Sequence, residues 1–432
     1  MSTAGAARDA PPPRPSYGAR DCEPGPAQGG RAARAGTGPA PDALARSLEP
    51  GPLRDELLGP AAAPEPAADA APGRVAQLQF TGEGGEYFRI WIVNLLLTVV
   101  TLGIYSAWAK VRKTRYFWQN TRLEGHAFDF HGRPVAILAG RIVALLLLAG
   151  YSFAFEFSSR AGLAMIAVLC VVGPWLFMRA QRFRLGNTSW RGLRFGYASD
   201  AIEAYRVALP PLLVWFSGTV LAVVASHRFG LAAAAGFVSM LLVPWMHHRL
   251  KAYQHRRARY GGRAFAFEPA TRRFYATYVA ASLVLVAGFL AAQVVAVMLG
   301  SIVGTSGPAA GAVGVASTVL VLAAAGLLAW PYFAARLQAV VWSHTRIGDV
   351  RFATAIAAGP LAALVARNVL LTLVTAGLYW PYAAVALARY RVECMRAESE
   401  APLLALAVTT TAAVDGAAGD AALDAFGLDI GL

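Results

Sequence analysis

Charged residues and cysteines are both scarce in this chain. Only 15% of its 432 residues are charged and 56% are hydrophobic, whereas typical soluble domains carry about 25% charged residues. The mean hydropathy is +0.47. This balance argues against a soluble globular protein and indicates a polytopic membrane protein.

The motifs of several enzyme classes are also missing. The sequence contains no HExxH, GxSxG, Walker loop or dinucleotide fingerprint. Its three cysteines, Cys22, Cys170 and Cys394, lie too far apart for a cysteine-based zinc site and argue against a disulfide framework. We therefore predict that the protein is not an enzyme and that it holds no cofactor and no metal.

Basic residues outnumber acidic ones, and their positions follow a pattern. The chain has 39 Lys and Arg against 25 Asp and Glu, for a net charge of +14. The basic residues concentrate in four long connections between apolar segments, whereas the intervening turns are short and hold few of them. The positive-inside rule places such basic connections in the cytoplasm, beside anionic headgroups of the bilayer. We expect those headgroups as partners and no nucleic acid.

Six apolar segments are long enough to cross a bilayer, which takes about 20 helical residues. They cover approximately residues 134–155, 161–178, 207–226, 229–246, 276–302 and 311–335. Two further apolar segments, at about 87–108 and 356–387, flank them. These two are either re-entrant or interfacial, or each crosses once, which would give up to eight spans. The sequence thus predicts a mainly α polytopic membrane protein with six full transmembrane helices and two terminal apolar helices.

The ends of the chain differ from the middle in composition. Residues 1–76 are rich in Ala, Pro and Gly and bury too little apolar surface to offset chain entropy, so we expect a disordered tail. Residues 77–397 form the predicted repeated transmembrane domain. Residues 398–432 are Ala-rich and acidic and are expected to form a C-terminal tail.

A repeated motif follows four of the apolar segments, and such self-similarity indicates repeated structural units. Each copy has an aromatic residue, an arginine four residues later and a phenylalanine twenty residues after the aromatic. The aromatic–arginine pairs are Trp108 and Arg112, Trp175 and Arg179, Trp245 and Arg249, and Tyr332 and Arg336. The phenylalanines are Phe128, Phe195, Phe265 and Phe352, and the first three copies share Gly125, Gly192 and Gly262.

The repeated residues have a physical interpretation. The aromatic lies where a helix leaves the hydrocarbon, and the arginine one turn later lies on the same face and reaches lipid phosphate. The eight residues of the pairs are therefore candidate headgroup anchors. The alternation before each phenylalanine predicts a short cytoplasmic β-hairpin in each copy, and the copies can pair with one another. The arginines and phenylalanines serve either packing or a ligand- or lipid-binding ring.

The two flanking apolar segments share a second motif, N-x-L-L-T-x-x-T-x-G-x-Y. Its Asn and Thr residues at i, i+4 and i+7 form one polar stripe on a helix. The stripes are Asn94, Thr98 and Thr101, and Asn368, Thr372 and Thr375. Such a stripe either packs the two helices in the bilayer or forms a paired polar lining of a pore or cleft.

Three stretches carry a family resemblance. They are FTGEGGEYFRIWIVNLLLTVVTLGIYSAWAKVRKTRYFWQNT, NTSWRGLRFGY and the closing LDIGL. Together they resemble the YjgN family, bacterial inner-membrane proteins catalogued as a domain of unknown function. The resemblance covers about residues 78–432. It implies a location in the bacterial inner (plasma) membrane, and it brings no established activity and no catalytic residues.

These features lead to two functional hypotheses. The first is passage of a small solute or lipid through the repeated helical core, which a polar path along the Asn and Thr stripes would favour. The second is a non-transporting scaffold or sensor that binds a partner on its basic cytoplasmic face, which a tightly packed core would favour. A protein partner or an oligomer is left open.

Overall fold

The computed structural model describes residues 74–225, 227–302 and 308–399. Within these residues the chain forms ten helices and eleven strands. The helices are α1 Gly84–Val100, α2 Ser106–Gln119, α3 Pro134–Phe157, α4 Ser159–Gly186, α5 Ala201–Val224, α6 Phe229–Arg256, α7 Thr271–Ile302, α8 Pro308–Ser343, α9 Ala358–Val374 and α10 Trp380–Glu393. The strands are β1 Arg74–Gln77, β2 Gln79–Phe80, β3 Thr121–Leu123, β4 His126–Phe130, β5 Thr188–Trp190, β6 Leu193–Tyr197, β7 Ala258–Tyr260, β8 Arg263–Phe267, β9 Thr345–Ile347, β10 Val350–Thr354 and β11 Met395–Ser399.

The six long helices α3 to α8 are long and apolar enough to cross a membrane, which confirms the six predicted spans. The described unit is slightly wider than the predicted domain 77–397, because β1 begins at Arg74 and β11 ends at Ser399. The rest of the two predicted tails lies outside the described residues.

The strands form one antiparallel sheet that closes on itself. Its two edge strands are β1 and β2, and only Leu78 separates them in the chain. β1 pairs with β11, whereas β2 pairs with β3, and Leu78 continues the first pairing by donating its N–H to the Met395 carbonyl at 3.1 Å. The segment 74–80 therefore closes the sheet into a barrel, which leaves no free edge.

The barrel is built from strand hairpins, one after each aromatic–arginine pair. The hairpin turns at Glu124–Gly125 and Arg191–Gly192 have positive φ at both central residues, which is the type I′ geometry that matches the twist of two-residue hairpins. This requirement explains the repeated glycine of the motif. Neighbouring copies pair through β4–β5, β6–β7 and β8–β9.

Helix hairpins alternate with the strand hairpins. The chain leaves the barrel and returns to it five times, through α1–α2, α3–α4, α5–α6, α7–α8 and α9–α10. Each helix contacts the next in this order, and α10 contacts α1. The helices thus form a closed ring above one end of the barrel, in five repeated units.

The fifth unit is shared between the two ends of the described chain. Helix α10 and β11 supply its first half, and β1, β2 and α1 supply its second half. Phe80 and Gly82 stand where Phe130 and Gly132 stand in the next unit, and each glycine lies against the ring of its phenylalanine. A Cβ on either glycine would approach that ring to less than 3 Å.

The two flanking apolar segments are helix hairpins rather than single helices. α1 and α2 are joined by residues 101–105, and α9 and α10 by residues 375–379. Both hairpins begin and end at the barrel, as the three long hairpins do, which is the geometry expected of the re-entrant or interfacial alternative.

Candidate functional site

The four predicted aromatic anchors lie at one level of the helix ring. Trp108, Trp175, Trp245 and Tyr332 each stand eleven residues before the last residue of their helix. At about 1.5 Å per residue, this level lies roughly 16 Å from the barrel. The anchors therefore share one depth, as expected of residues that meet the same membrane interface.

Each predicted arginine of the anchor pairs stacks on an aromatic ring. The guanidinium carbon lies 5.2 Å from the Trp175 ring centre for Arg179, 5.4 Å from Trp245 for Arg249 and 5.8 Å from Tyr332 for Arg336. The first copy differs, because Arg112 lies over Tyr105 at 5.7 Å, and Trp108 stacks on Tyr105 instead. Such cation–π contacts hold the cations beside the rings at the level described above.

The polar stripe of the short hairpins does not line the cavity inside the barrel, which is described below. Asn94 and Asn368 are only 7% and 6% exposed, and their side-chain Oδ1 atoms have no hydrogen-bond partner among the described residues. Thr98 and Thr372 donate to the backbone carbonyls of these asparagines, at 2.6 and 2.7 Å. The threonine hydroxyls are thus satisfied within their own helix.

The rest of the stripe builds the turn of each short hairpin. Thr101 donates to the Leu97 carbonyl at 2.7 Å and accepts from the Tyr105 N–H at 2.9 Å. Gly103, at φ +92°, sits in the turn, where a left-handed backbone favours glycine. Thr375 makes the same pair of bonds in the second hairpin, so this part of the motif is accounted for by turn formation.

A cavity lies inside the barrel, where the helix ends meet it. This space, called the barrel cavity below, measures about 540 Å³, within the range of small-molecule sites. The repeated phenylalanines of all four copies line it, and Leu78 takes the same position in the fifth unit. A second ring of lining residues comes from the preceding strands: Leu123, Trp190, Tyr260, Ile347 and Ala397.

Aromatic rings pack against one another along this wall. Phe195 lies 4.7 Å from Tyr260 and 6.4 Å from Phe128, between ring centres. The Tyr260 hydroxyl donates to the Trp190 carbonyl at 3.0 Å. Burial raises the pKa of Tyr260 to about 12, so this phenol stays neutral at physiological pH. This aromatic part of the wall is therefore uncharged.

The helix ends add positive charge on one side of the barrel cavity. Lys110 and Lys113 of α2, Arg184 of α4 and Lys251 of α6 line it, and Lys251 is only 8% exposed. No Asp or Glu occurs among the described residues that line it. On the opposite side, α8 and α10 contribute apolar residues: Val341, Trp342, Ala388 and Val392.

Histidines beside this region have structural partners. His255, which lines the barrel cavity, bonds to the Thr345 hydroxyl at 3.0 Å through Nδ1. His248 accepts from the Ala270 N–H at 3.2 Å. Among the described residues there is no group of three or more His, Cys, Asp or Glu side chains that could hold a metal ion.

Sequence reasoning found the phenylalanine ring but missed the cationic side. Lys110, Arg184 and Lys251 were grouped with other loop cations, because they do not share one repeat offset. It also left Tyr382 out of the predicted anchors. The signal was present in the sequence, since Pro381–Tyr382 repeats Pro331–Tyr332 and stands at the same distance from the barrel.

Comparisons with known proteins identify related sequences. The family model described as "Bacterial protein of unknown function (DUF898)" matches residues 75–425. Inner membrane protein YjgN of Salmonella typhimurium is 32% identical over 140 residues, which cover 32% of this chain and 35% of that protein. Inner membrane protein YjgN of Escherichia coli K12 is 29% identical over 172 residues, or 38% of this chain and 42% of that protein. These matches span less than half the length of the relatives, and no solved structure matches.

Proposed function

Because the chain belongs to the DUF898 family of bacterial proteins of unknown function, we propose a function from the barrel cavity: it binds an anionic amphiphile there. The protein is a multi-pass protein of the bacterial inner membrane. A molecule with one phosphate or carboxylate and a short apolar portion would match the two sides of the cavity.

The observation that carries this proposal is the division of the cavity lining. Three lysines and one arginine stand on the side of α2, α4 and α6. Aromatic and aliphatic residues predominate on the strands, beside Thr121 and Thr188, and on the side of α8 and α10. A cation and an anion attract each other more strongly at a partly buried site than in water. The apolar wall adds binding free energy in proportion to the apolar area that the ligand covers.

The cavity also bears on the two functional hypotheses. A packed barrel would favour a scaffold, whereas an internal space of about 540 Å³ favours a ligand. Binding at the barrel end is the first step that passage of a lipid-like solute requires. Passage itself would use the helix ring, and the basic barrel end would face the cytoplasm, as the distribution of basic residues predicts.

The test uses decyl phosphate as the probe and decanol as its uncharged counterpart. Purified full-length protein in nanodiscs is dialysed to equilibrium with radiolabelled probe, and uptake by empty nanodiscs is subtracted. We expect saturable binding of decyl phosphate and binding of decanol that is at least tenfold weaker, because a charged hydrogen bond contributes about 1.5–3 kcal/mol.

Matched double variants locate the binding. Arg184→Met with Lys251→Met removes two cations of the cavity and should weaken decyl phosphate binding roughly 10- to 100-fold. Arg194→Met with Arg259→Met removes two exposed cations from the strands β6 and β7 and should leave binding within about twofold, since exposed charges are screened. Equal loss in both double variants, or no saturable binding at all, would reject the proposal.

A further inference from the structure

The two short hairpins have the same turn but different charge. Their turns share φ values within 1° at Gly103 and Gly377 and at Leu102 and Ala376. The helices that follow differ: Lys110, Arg112 and Lys113 of α2 correspond to Ala384, Ala386 and Leu387 of α10. The part of α2 near its tip is therefore cationic where α10 is apolar. The cations of the twin hairpin stand elsewhere, at Arg367 in α9 and at Arg389 and Arg391 near the barrel end of α10.

Both hairpin tips expose apolar side chains at the level of the aromatic anchors. Leu102 is 94% exposed and Leu373 is 73% exposed. Trp108 lies only two residues after the start of α2, so the tip reaches little beyond the level shared by the anchors. Apolar side chains at this level are expected to contact the boundary between headgroups and acyl chains.

A further cation stands at the tip of the α1–α2 hairpin. Arg141 of α3 donates a hydrogen bond to the Ser106 hydroxyl at the start of α2. Ser106 lies one helical turn before Lys110 on the same face of α2, and Lys110 lines the barrel cavity. The four residues from Ser106 to Lys110 correspond to a rise of about 6 Å. Cations therefore follow one another from the membrane level to the cavity along this hairpin.

We propose that an anionic phospholipid of the surrounding bilayer docks at the α1–α2 tip, beside Arg141 and Ile104, and that anionic amphiphiles reach the barrel cavity there and not at the α9–α10 tip. The twin hairpin offers the same exposed apolar tip, with Leu378 in place of Ile104. It has Trp380 in place of Ser106 and alanine in place of Lys110. The proposal rests on the proposed function of the cavity, because the docking site is the place where the anionic ligand of the cavity would leave the bilayer.

The twin tips supply a matched experiment for docking. Full-length protein with benzoylphenylalanine at position 104, or at position 378, is placed in vesicles of phosphatidylcholine that contain a trace of fluorescent phosphatidic acid or fluorescent phosphatidylcholine. Illumination should crosslink phosphatidic acid at least fivefold more than phosphatidylcholine at position 104. Position 378 should show less than a twofold preference. Arg141→Gln should abolish the preference at position 104, and Arg141→Lys should retain it.

A second measurement follows the rate at which an anionic amphiphile arrives in the barrel cavity. Azidophenylalanine at position 265 reports labelled hexadecyl phosphate that is delivered from donor vesicles, by the initial rate of crosslinking. Arg141→Gln should lower this rate about tenfold, whereas Arg160→Gln, at the tip of the long α3–α4 hairpin, should not change it. Decyl phosphate supplied from water should bind the Arg141→Gln variant as tightly as the unaltered protein.

The outcomes separate the two proposals. If decyl phosphate does not bind the unaltered protein, the function proposed for the cavity fails. If it binds, but positions 104 and 378 crosslink phosphatidic acid equally or Arg141→Gln leaves the loading rate unchanged, the access site is wrong while the cavity stands.

Discussion

The long and short helix hairpins share one unit beside the barrel and differ in the length of their helices. In α4, sixteen residues precede the anchor Trp175, whereas in α2 only two precede Trp108. The eleven residues between each anchor and the end of its helix are common to both classes. Only the part beyond the anchor differs, and the helices that carry this part are the ones long and apolar enough to cross a bilayer.

Proline marks the junction between the common part and the extension. Pro174 and Pro331 stand inside α4 and α8, one residue before the anchor, and Pro381 stands near the start of the short helix α10. Proline is tolerated at the first turn of a helix and disrupts its interior. The long helices thus resemble short ones with an added span, and the repetition is strictest at the barrel, where the cavity lies.

The comparison of long and short hairpins predicts its largest effect in the reactivity of cysteine probes placed at the hairpin tips. In a background without native cysteines, Arg160→Cys at a long tip should react fully with an impermeant maleimide from one side of the membrane. Arg259→Cys on the barrel should react from the other side. Leu102→Cys at a short tip should react from neither, because its side chain faces lipid. Right-side-out and inside-out vesicles provide the measurement, and reaction of position 102 from the same side as position 160 would show that the short hairpin crosses.

A smaller effect is expected from the turn that ends the short hairpin. Gly103→Ala places a side chain at φ +92° and should reduce the free energy of unfolding by about 1–2 kcal/mol. Gly85→Ala in α1 has open space and ordinary φ and serves as the control. Denaturant unfolding in detergent should show no loss for the control, and equal loss in both variants would mean that the turn geometry is not limiting.

The smallest effect is expected from the buried asparagines of the short hairpins. Asn94→Leu with Asn368→Leu removes two buried carbonyl oxygens without partners among the described residues and one bond to the Ala383 carbonyl at 3.4 Å. These changes offset each other, so the free energy of unfolding should shift by less than about 1.5 kcal/mol. Decyl phosphate binding should be unchanged. Loss of binding in a folded double variant would show that the stripe belongs to the ligand path.

The sequence predicted the spans and the repeat because both rest on local periodicity. Apolar runs identify α3 to α8, and the fixed offsets bring Phe128, Phe195, Phe265 and Phe352 into one ring of the barrel cavity. The closure of the barrel could not be predicted from local periodicity. Its fifth unit joins Leu78 to Met395, more than three hundred residues apart, and Met395 replaces the threonine that begins the other copies' strands β3, β5 and β9.

The cationic side of the site escaped sequence reasoning for a related reason. Thr114, Gln181 and Lys251 hold equivalent positions in α2, α4 and α6, so the repeat preserves the position and not the charge. The cations that line the cavity therefore do not repeat as a motif. These cations come together only in the folded protein, where the closed barrel brings the helix ends around the barrel cavity.

Photolabelling of the cavity tests the central claim most directly. A decyl phosphate that carries a diazirine at the end of its chain is bound to the full-length protein in nanodiscs, illuminated, and located by peptide mass spectrometry. The account predicts labels on barrel-wall residues such as Phe195, Phe265 and Phe352, which decrease in the Arg184→Met and Lys251→Met double variant. Labels confined to the lipid-facing surfaces of α3 to α8, and unchanged in that variant, would contradict it.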